Sequence, residues 1–115
     1  MTITPLILFK CLSDETRLSM ILLVQHQGEL CVGELVEALQ SSQPKVSRHL
    51  ANLKSCGLLV DRKSSQWVFY RVNPQLPEWA NEIICQGVLA SDKPLSVLTS
   101  RLNLVNEPNR HLACC

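Results

Sequence analysis

The chain has 115 residues, 46% hydrophobic and 18% charged, with eleven Lys and Arg against ten Asp and Glu for a net charge of +1. This describes one small domain with a core, and six prolines beside four glycines exclude a collagen-like or low-complexity chain. The longest uncharged run, residues 18–28, is well short of the roughly 20 apolar residues that span a bilayer, and no basic residue precedes Leu6-Ile7-Leu8-Phe9, so neither a membrane span nor a secretory signal is expected and the cytoplasm is the expected compartment.

The first predicted element is a helix around Leu6, Ile7, Leu8 and Leu12, more apolar than a terminal segment of a small monomer needs. Ser13 is the expected cap of the next helix, with Asp14 and Glu15 in its first turn, where the helix dipole favours acids. An apolar run follows through Val24, and Gly28 ends the helix. Leu30, Val32, Leu35 and Leu39 are spaced for a short buried face. Ser41 or Ser42 caps another helix with Pro44 in its first turn. Its apolar positions Val46, Leu50 and Leu53 make one inward stripe, Gly57 stops it, and Lys45, Ser47, Arg48, Asn52 and Lys54 stay off the stripe. Two helices of about eight and twelve residues, joined by a turn of three or four, make a helix-turn-helix whose second member is basic and polar outward.

Beyond Gly57 the pattern turns extended. Leu58 to Lys63 and Trp67 to Val72 read as two strands joined by a turn at Ser64-Ser65-Gln66, a hairpin with a basic tip. A lone hairpin is unstable and must pack on the helices, so the predicted fold is mainly α with a small β-hairpin, a winged helix-turn-helix. Charge agrees: residues 43–71 carry a net +5 and the remainder −4, the footprint of a surface that meets phosphates.

Pro74 and Pro77 precede a helix over residues 78–90, with Trp79, Ala80, Ile83, Ile84 and Val88 on a broad apolar arc. With the first helix it is the expected homodimer interface. Residues 94–104 read as a last helix. The domain is taken as residues 1–105, and residues 106–115 as a flexible, cysteine-containing tail. Six cysteines, Cys11, Cys31, Cys56, Cys85, Cys114 and Cys115, are numerous for a chain that does not look secreted, and in a reducing compartment such thiols serve packing, metal ligation or redox sensing.

The runs Leu12-Ser13-Asp14-Glu15-Thr16-Arg17-Leu18, Gly28-Glu29-Leu30-Cys31-Val32, Ser42-Gln43-Pro44-Lys45-Val46-Ser47-Arg48-His49-Leu50 and Leu59-Val60-Asp61-Arg62-Lys63, with Trp67-Val68-Phe69-Tyr70-Arg71 and Pro77-Glu78-Trp79-Ala80, resemble the ArsR/SmtB family of metal-responsive repressors. The likeness covers roughly residues 5–90 and is greatest to the arsenic-operon repressors. It implies a homodimer that represses its own operon and leaves double-stranded operator DNA when an inducer binds. By position, Ser42, Gln43, Lys45, Ser47, Arg48 and His49 would face DNA, with Arg48 suited to a bidentate base contact and the hydroxyl and ammonium groups to phosphates. His49 has a second reading, packing back on the fold. Arg62, Lys63 and Gln66 on the wing would touch backbone or minor groove.

The resemblance also implies an inducer site of three cysteines, Cys-Val-Cys-x-x-Cys, at the helix before the recognition helix. This chain reads Cys31-Val32-Gly33-Glu34-Leu35-Val36 and keeps only the first ligand. Trivalent arsenic prefers thiolates, so other cysteines must supply the rest. Cys114-Cys115 is a pair that core packing does not explain. Cys85, on the polar side of its predicted helix, and Cys31, at a helix N-terminus that lowers a thiol pKa, compete as the third ligand. Cys11 and Cys56 read as packing residues. Residues 78–90 contain no histidine, and His26, His49 and His111 share no metal spacing, which argues against a zinc or nickel site, although His111 with Cys114 and Cys115 stays open. The expected inducer is therefore As(III) or Sb(III), or a methylated arsenical where two thiols converge. The alternative is a repressor sensing persulfide or oxidants through a cysteine pair. No nucleophile-base-orienter set or cofactor loop points to an enzyme.

Overall fold

Thr4 opens the first helix by accepting a hydrogen bond from the Ile7 N–H at 3.2 Å, with Pro5 at the first helical position, where its missing N–H costs nothing. The computed structural model describes residues 2–107 and Arg110, and this helix, α1, spans Pro5–Leu12. Ser13 closes α1, its Oγ donating to the Lys10 carbonyl at 2.7 Å. The cap of α2 (Glu15–Gln27) is therefore not Ser13 but Asp14, whose carboxylate accepts from the Arg17 N–H at 3.0 Å. Both residues are of capping type; they divide two adjacent helix ends between them.

Met20, Ile21, Leu22, Leu23 and Val24 of α2 are all buried, so this helix is apolar all round at its centre. It packs against every other helix and the third strand, and forms the middle of the core. Gly28 ends it at φ 94°, a conformation that favours glycine.

Leu30–Cys31 forms a two-residue strand, β1, absent from the sequence reading. Then come α3 (Val32–Leu39), a three-residue turn, and α4 (Gln43–Ser55), capped by Ser42 and closed before Gly57 at φ 87°. The inward stripe Val46, Leu50 and Leu53 is buried as its spacing predicts. The hairpin is β2 (Leu59–Ser64) and β3 (Trp67–Val72), with Ser64 opposite Trp67, so the turn is the two residues Ser65 and Gln66. β1 pairs antiparallel with the other edge of β3, Cys31 opposite Phe69, giving a three-stranded sheet of order β1-β3-β2.

α5 (Glu78–Ala90) buries Ala80, Ile84 and Val88. It lies close on α2: a Cβ on Gly87 would stand 2.9 Å from Leu22 Cδ2. α6 (Asp92–Ser100) begins two residues before the predicted last helix and ends four residues before its predicted limit. Past α6, Arg101 donates to the Ala38 carbonyl at the end of α3 at 3.0 Å, and the chain returns over the wing and the start of α3. There Ser64 donates to Glu107 at 2.5 Å and the Val105 N–H donates to Glu34 at 2.7 Å. No helix among the described residues is long and apolar enough to cross a membrane.

Candidate nucleic-acid interface and thiol sites

Burying Val46, Leu50 and Leu53 forces the opposite face of α4 outward. Gln43, Lys45, Ser47 and Arg48 are exposed along it, and Ser42 is exposed at its head while its Oγ accepts from the Lys45 N–H at 3.4 Å. Among the described residues neither Lys45 nor Arg48 has a salt-bridge partner, whereas Lys54 is held by Asp61 at 2.9 Å. His49 is half-buried between this face and α2. Burial holds its imidazole below the usual histidine range, with Arg17, Arg48 and Lys45 adding to that and Asp14 opposing it. This half-buried placement at the edge of the outward face is compatible with both readings of His49, the DNA contact and the packing on the fold.

On the wing, Lys63 and Gln66 are exposed. Arg62, expected there as a phosphate contact, is turned inward instead. Its Nε and Nη2 donate to the fully buried Glu29 carboxylate at 3.0 and 2.5 Å, and its guanidinium lies 4.7 Å from the centre of the Phe69 ring. The register explains this: Arg62 stands opposite Phe69, whose side chain points into the body, while neighbouring Asp61 and Lys63 point out.

A helix-turn-helix with an outward cationic helix and an adjacent hairpin is a DNA-reading architecture, and the comparisons agree. A model of the bacterial regulatory proteins of the arsR family matches residues 14–60, from the α2 cap to the start of β2. The chain is 50% identical over 114 residues to the arsenic resistance transcriptional regulator ArsR2 of Pseudomonas putida, spanning 98% of this chain and 99% of that protein. This chain belongs to the ArsR family. Another relative, the arsenical resistance operon repressor of Escherichia coli, is 56% identical over 98 residues, 85% of this chain and 84% of that one. Among solved structures, the homodimeric winged helix-turn-helix DNA-binding domain of a possible ArsR-family regulator from Mycobacterium bovis matches with a TM-score of 0.60 at 26% identity, over 76% of this chain and 78% of that one.

The cysteines of this ArsR-family chain lie in contrasting settings. Cys31 is buried at the head of α3, its N–H donating to Glu34 Oε1 at 2.9 Å. The Glu34 and Gly33 backbone N–H groups at the helix N-terminus do lower its thiol, but burial, with the Glu34 carboxylate, outweighs them and holds it above the usual 9.0. Cys85 does not face solvent on a polar flank; it is half-buried toward α2, with Gln25 Nε2 donating to its sulfur at 3.5 Å. The close approach of α5 to α2 brings that flank of the helix into contact. Cys114 and Cys115 lie outside the described residues. Among the described residues, no three His, Cys, Asp or Glu side chains gather as a metal-binding group.

Two features escaped the sequence reading. Cys11, at the end of α1, is pushed up to about 11 by burial and then by Cys56, the residue closing α4. Arg110, read as part of a free tail, is clamped on Glu34: its Nη1 donates to Glu34 Oε2 at 2.8 Å and its Nη2 donates to Glu34 Oε1 and, at 3.0 Å, to the Glu29 carbonyl. It also stacks 5.2 Å from the Phe69 ring centre. Burial alone would raise the Glu34 carboxyl, but Arg110 and the Cys31 and Val105 N–H groups outweigh it and hold it below its usual range. The paired acid and base, sixty or more residues apart in sequence, carry no local signal.

Proposed function

We propose that the chain is a homodimeric transcriptional repressor that holds operator DNA with α4 in the major groove and releases it when cysteine thiolates bind trivalent arsenic or antimony. The observation that carries the arsenic reading is the 50% identity, over nearly the whole of both chains, to a protein named as an arsenic resistance regulator. The exposed Gln43, Lys45, Ser47 and Arg48 carry the DNA reading. Arg48 reads a base edge bidentately, Lys45 and Lys63 meet phosphates, and Ser42, Ser47 and Gln66 position the duplex. Arg62 braces the wing from inside, and His49 sets the seat of α4 on α2. A protein that meets the chromosome in this way works in the cytoplasm.

The dimer forms through α1 and α5. Leu6 and Leu89 are 74% and 66% exposed, and Phe9 and Trp79 are exposed beside them, an apolar surface that a second copy would cover. The inducer thiols are Cys31 with Cys114 and Cys115. Arg110 supports this choice over Cys85, because it fixes the chain at Glu34, the side chain that also accepts from the Cys31 N–H. Cys114 is four residues on, within about 14 Å of extended chain. Inducer binding there would pull on the head of α3, which supports α4. A persulfide or oxidant sensor needs a thiolate just as the metalloid does, and the identity to an arsenic resistance regulator favours the metalloid reading.

The test is fluorescence anisotropy of a labelled duplex from the upstream region of the chain's own gene, at fixed salt under reducing conditions, titrated with protein and then arsenite. Stoichiometric release by arsenite establishes the reading, and tight binding that arsenite leaves untouched refutes its inducer.

A further inference from the structure

We propose that Glu107 is a positioning residue for DNA binding: through Ser64 it straps the tip of the wing to the head of α3, and so fixes where Lys63 meets the operator backbone. The wing needs such a tether. β1 pairs with β3 only at Phe69 and Tyr70. Beyond Phe69 the hairpin therefore has only its own two strands, out to the pair Ser64 and Trp67, and a two-stranded ribbon is marginal in water. At that last pair Ser64 Oγ donates to the Glu107 carboxylate at 2.5 Å, across 43 residues of sequence. A hydroxyl on a carboxylate is among the stronger hydrogen bonds.

The other end of the strap is fixed to the body before DNA arrives. Arg101 Nη1 donates to the Ala38 carbonyl at 3.0 Å, and the Val105 N–H donates to Glu34 Oε2 at 2.7 Å. Arg110 closes the chain around Glu107: its N–H donates to the Glu107 carbonyl at 3.1 Å, and its Nη1 donates to the Val105 carbonyl and to Glu34 Oε2, both at 2.8 Å. Glu107 is thus tied to the carboxylate that also accepts from the Cys31 N–H at the head of α3. Alternation along β2 sends Ser64 to the side of Arg62 and leaves Lys63 exposed on the other, so the strap holds the wing without covering its cation.

Charge alone gives the opposite sign: a carboxylate beside the wing repels phosphates, so its deletion would strengthen operator binding. Deleting a strap frees the tip, Lys63 loses its place, and binding weakens. The lost contact is to the DNA backbone, so cognate and scrambled duplexes lose alike while base discrimination by α4 stays.

The strap rests on the operator-binding reading, and the full chain tests the two separately. Anisotropy of the upstream duplex across salt is compared for wild type, Lys63→Ala, Ser64→Ala, Glu107→Ala, Glu107→Gln and the double variant Ser64→Ala with Glu107→Ala, and amide hydrogen exchange of residues 62–68 is read without DNA. Lys63→Ala lowers the salt slope by about 1. Ser64→Ala and Glu107→Ala are expected to lower affinity and slope toward the Lys63→Ala values and to speed exchange at the wing tip only. Their effects combine without adding, because each removes the same bond. Glu107→Gln keeps an acceptor for Ser64 without the charge and binds at least as tightly as wild type. Tighter binding by Glu107→Ala overturns the strap, as does exchange that is unchanged or faster throughout the chain, or a Ser64→Ala loss that persists in full on top of Glu107→Ala. An unchanged salt slope in Lys63→Ala refutes the wing contact itself, and the strap's role in binding with it.

Discussion

Arg62 and Glu29 form a bidentate ion pair beneath the wing, 33 residues apart in sequence, with Glu29 fully buried. A buried carboxylate that loses its cation cannot be rehydrated without opening the sheet. Arg62→Ala is expected to destabilise the fold by about 3 kcal/mol, the scale of stranding one buried charge. Lys63→Ala, one residue on and exposed, is expected to leave stability within about 0.5 kcal/mol and to lower the slope of log affinity against log salt by about 1. Urea unfolding and salt-dependent operator binding separate the two; a salt slope that drops in Arg62→Ala with unchanged stability would return Arg62 to the DNA.

Arg48 and Lys45 are both exposed on α4, the first proposed as a base reader and the second as a phosphate contact. Arg48→Ala should cost about 1–3 kcal/mol on the cognate operator and relax discrimination at one base position, while Lys45→Ala weakens cognate and scrambled duplexes alike. Anisotropy on a panel of single-base operator variants checks this. Identical profiles for the two variants would end the division of roles.

Glu34 gives stability a pH dependence with a defined sign. Its carboxyl is held below the ordinary 4.5 in the folded chain, so the unfolded chain binds its proton first as pH falls. The contribution is fully present above 4.5 and is lost as pH drops through the folded value. Wild type should therefore exceed Glu34→Gln by a margin constant above about pH 6 and shrinking below 4.5, measured by thermal unfolding across pH. A margin that grows on acidification would contradict the clamp.

The fold was legible where local chemistry and packing agree. Val46, Leu50 and Leu53 with Gly57 define α4 because a four-then-three spacing and a left-handed stop are properties of neighbouring residues. β1 was not legible: two residues have no period, and Leu30–Cys31 is a strand only because β3 has an open edge beside it. The pairing of Arg62 with Glu29 was not legible because charge was counted without register, although alternation along β2 puts Arg62 on the opposite side from Asp61 and Lys63. Cys11 and Cys56 each looked like packing in isolation, and both do pack on the core.

Leu6 and Phe9 stand on the outer face of α1 without cover in one copy of the chain. Replacing both by glutamate should leave the monomer fold intact, because neither contributes to the buried core, and should convert the dimer to a monomer by sedimentation. Operator affinity should fall far more than the loss of any one DNA contact would allow, since half-site binding forfeits the second recognition helix.

Replacing Cys114 and Cys115 by serine separates sensing from DNA binding. Neither residue is on α4 or the wing, so operator affinity without inducer should be unchanged. The coupling between inducer and operator, about 5- to 150-fold in linked systems of this kind, should disappear, because Cys31 alone cannot satisfy trivalent arsenic. Arg110→Ala provides the complementary case: the thiols remain, but the chain is no longer fixed to Glu34 at the head of α3. Arsenite should still bind that variant while releasing DNA poorly. Anisotropy for release and intact mass for binding read the two quantities independently, and full arsenite release in Arg110→Ala would show that the signal reaches α4 by another route.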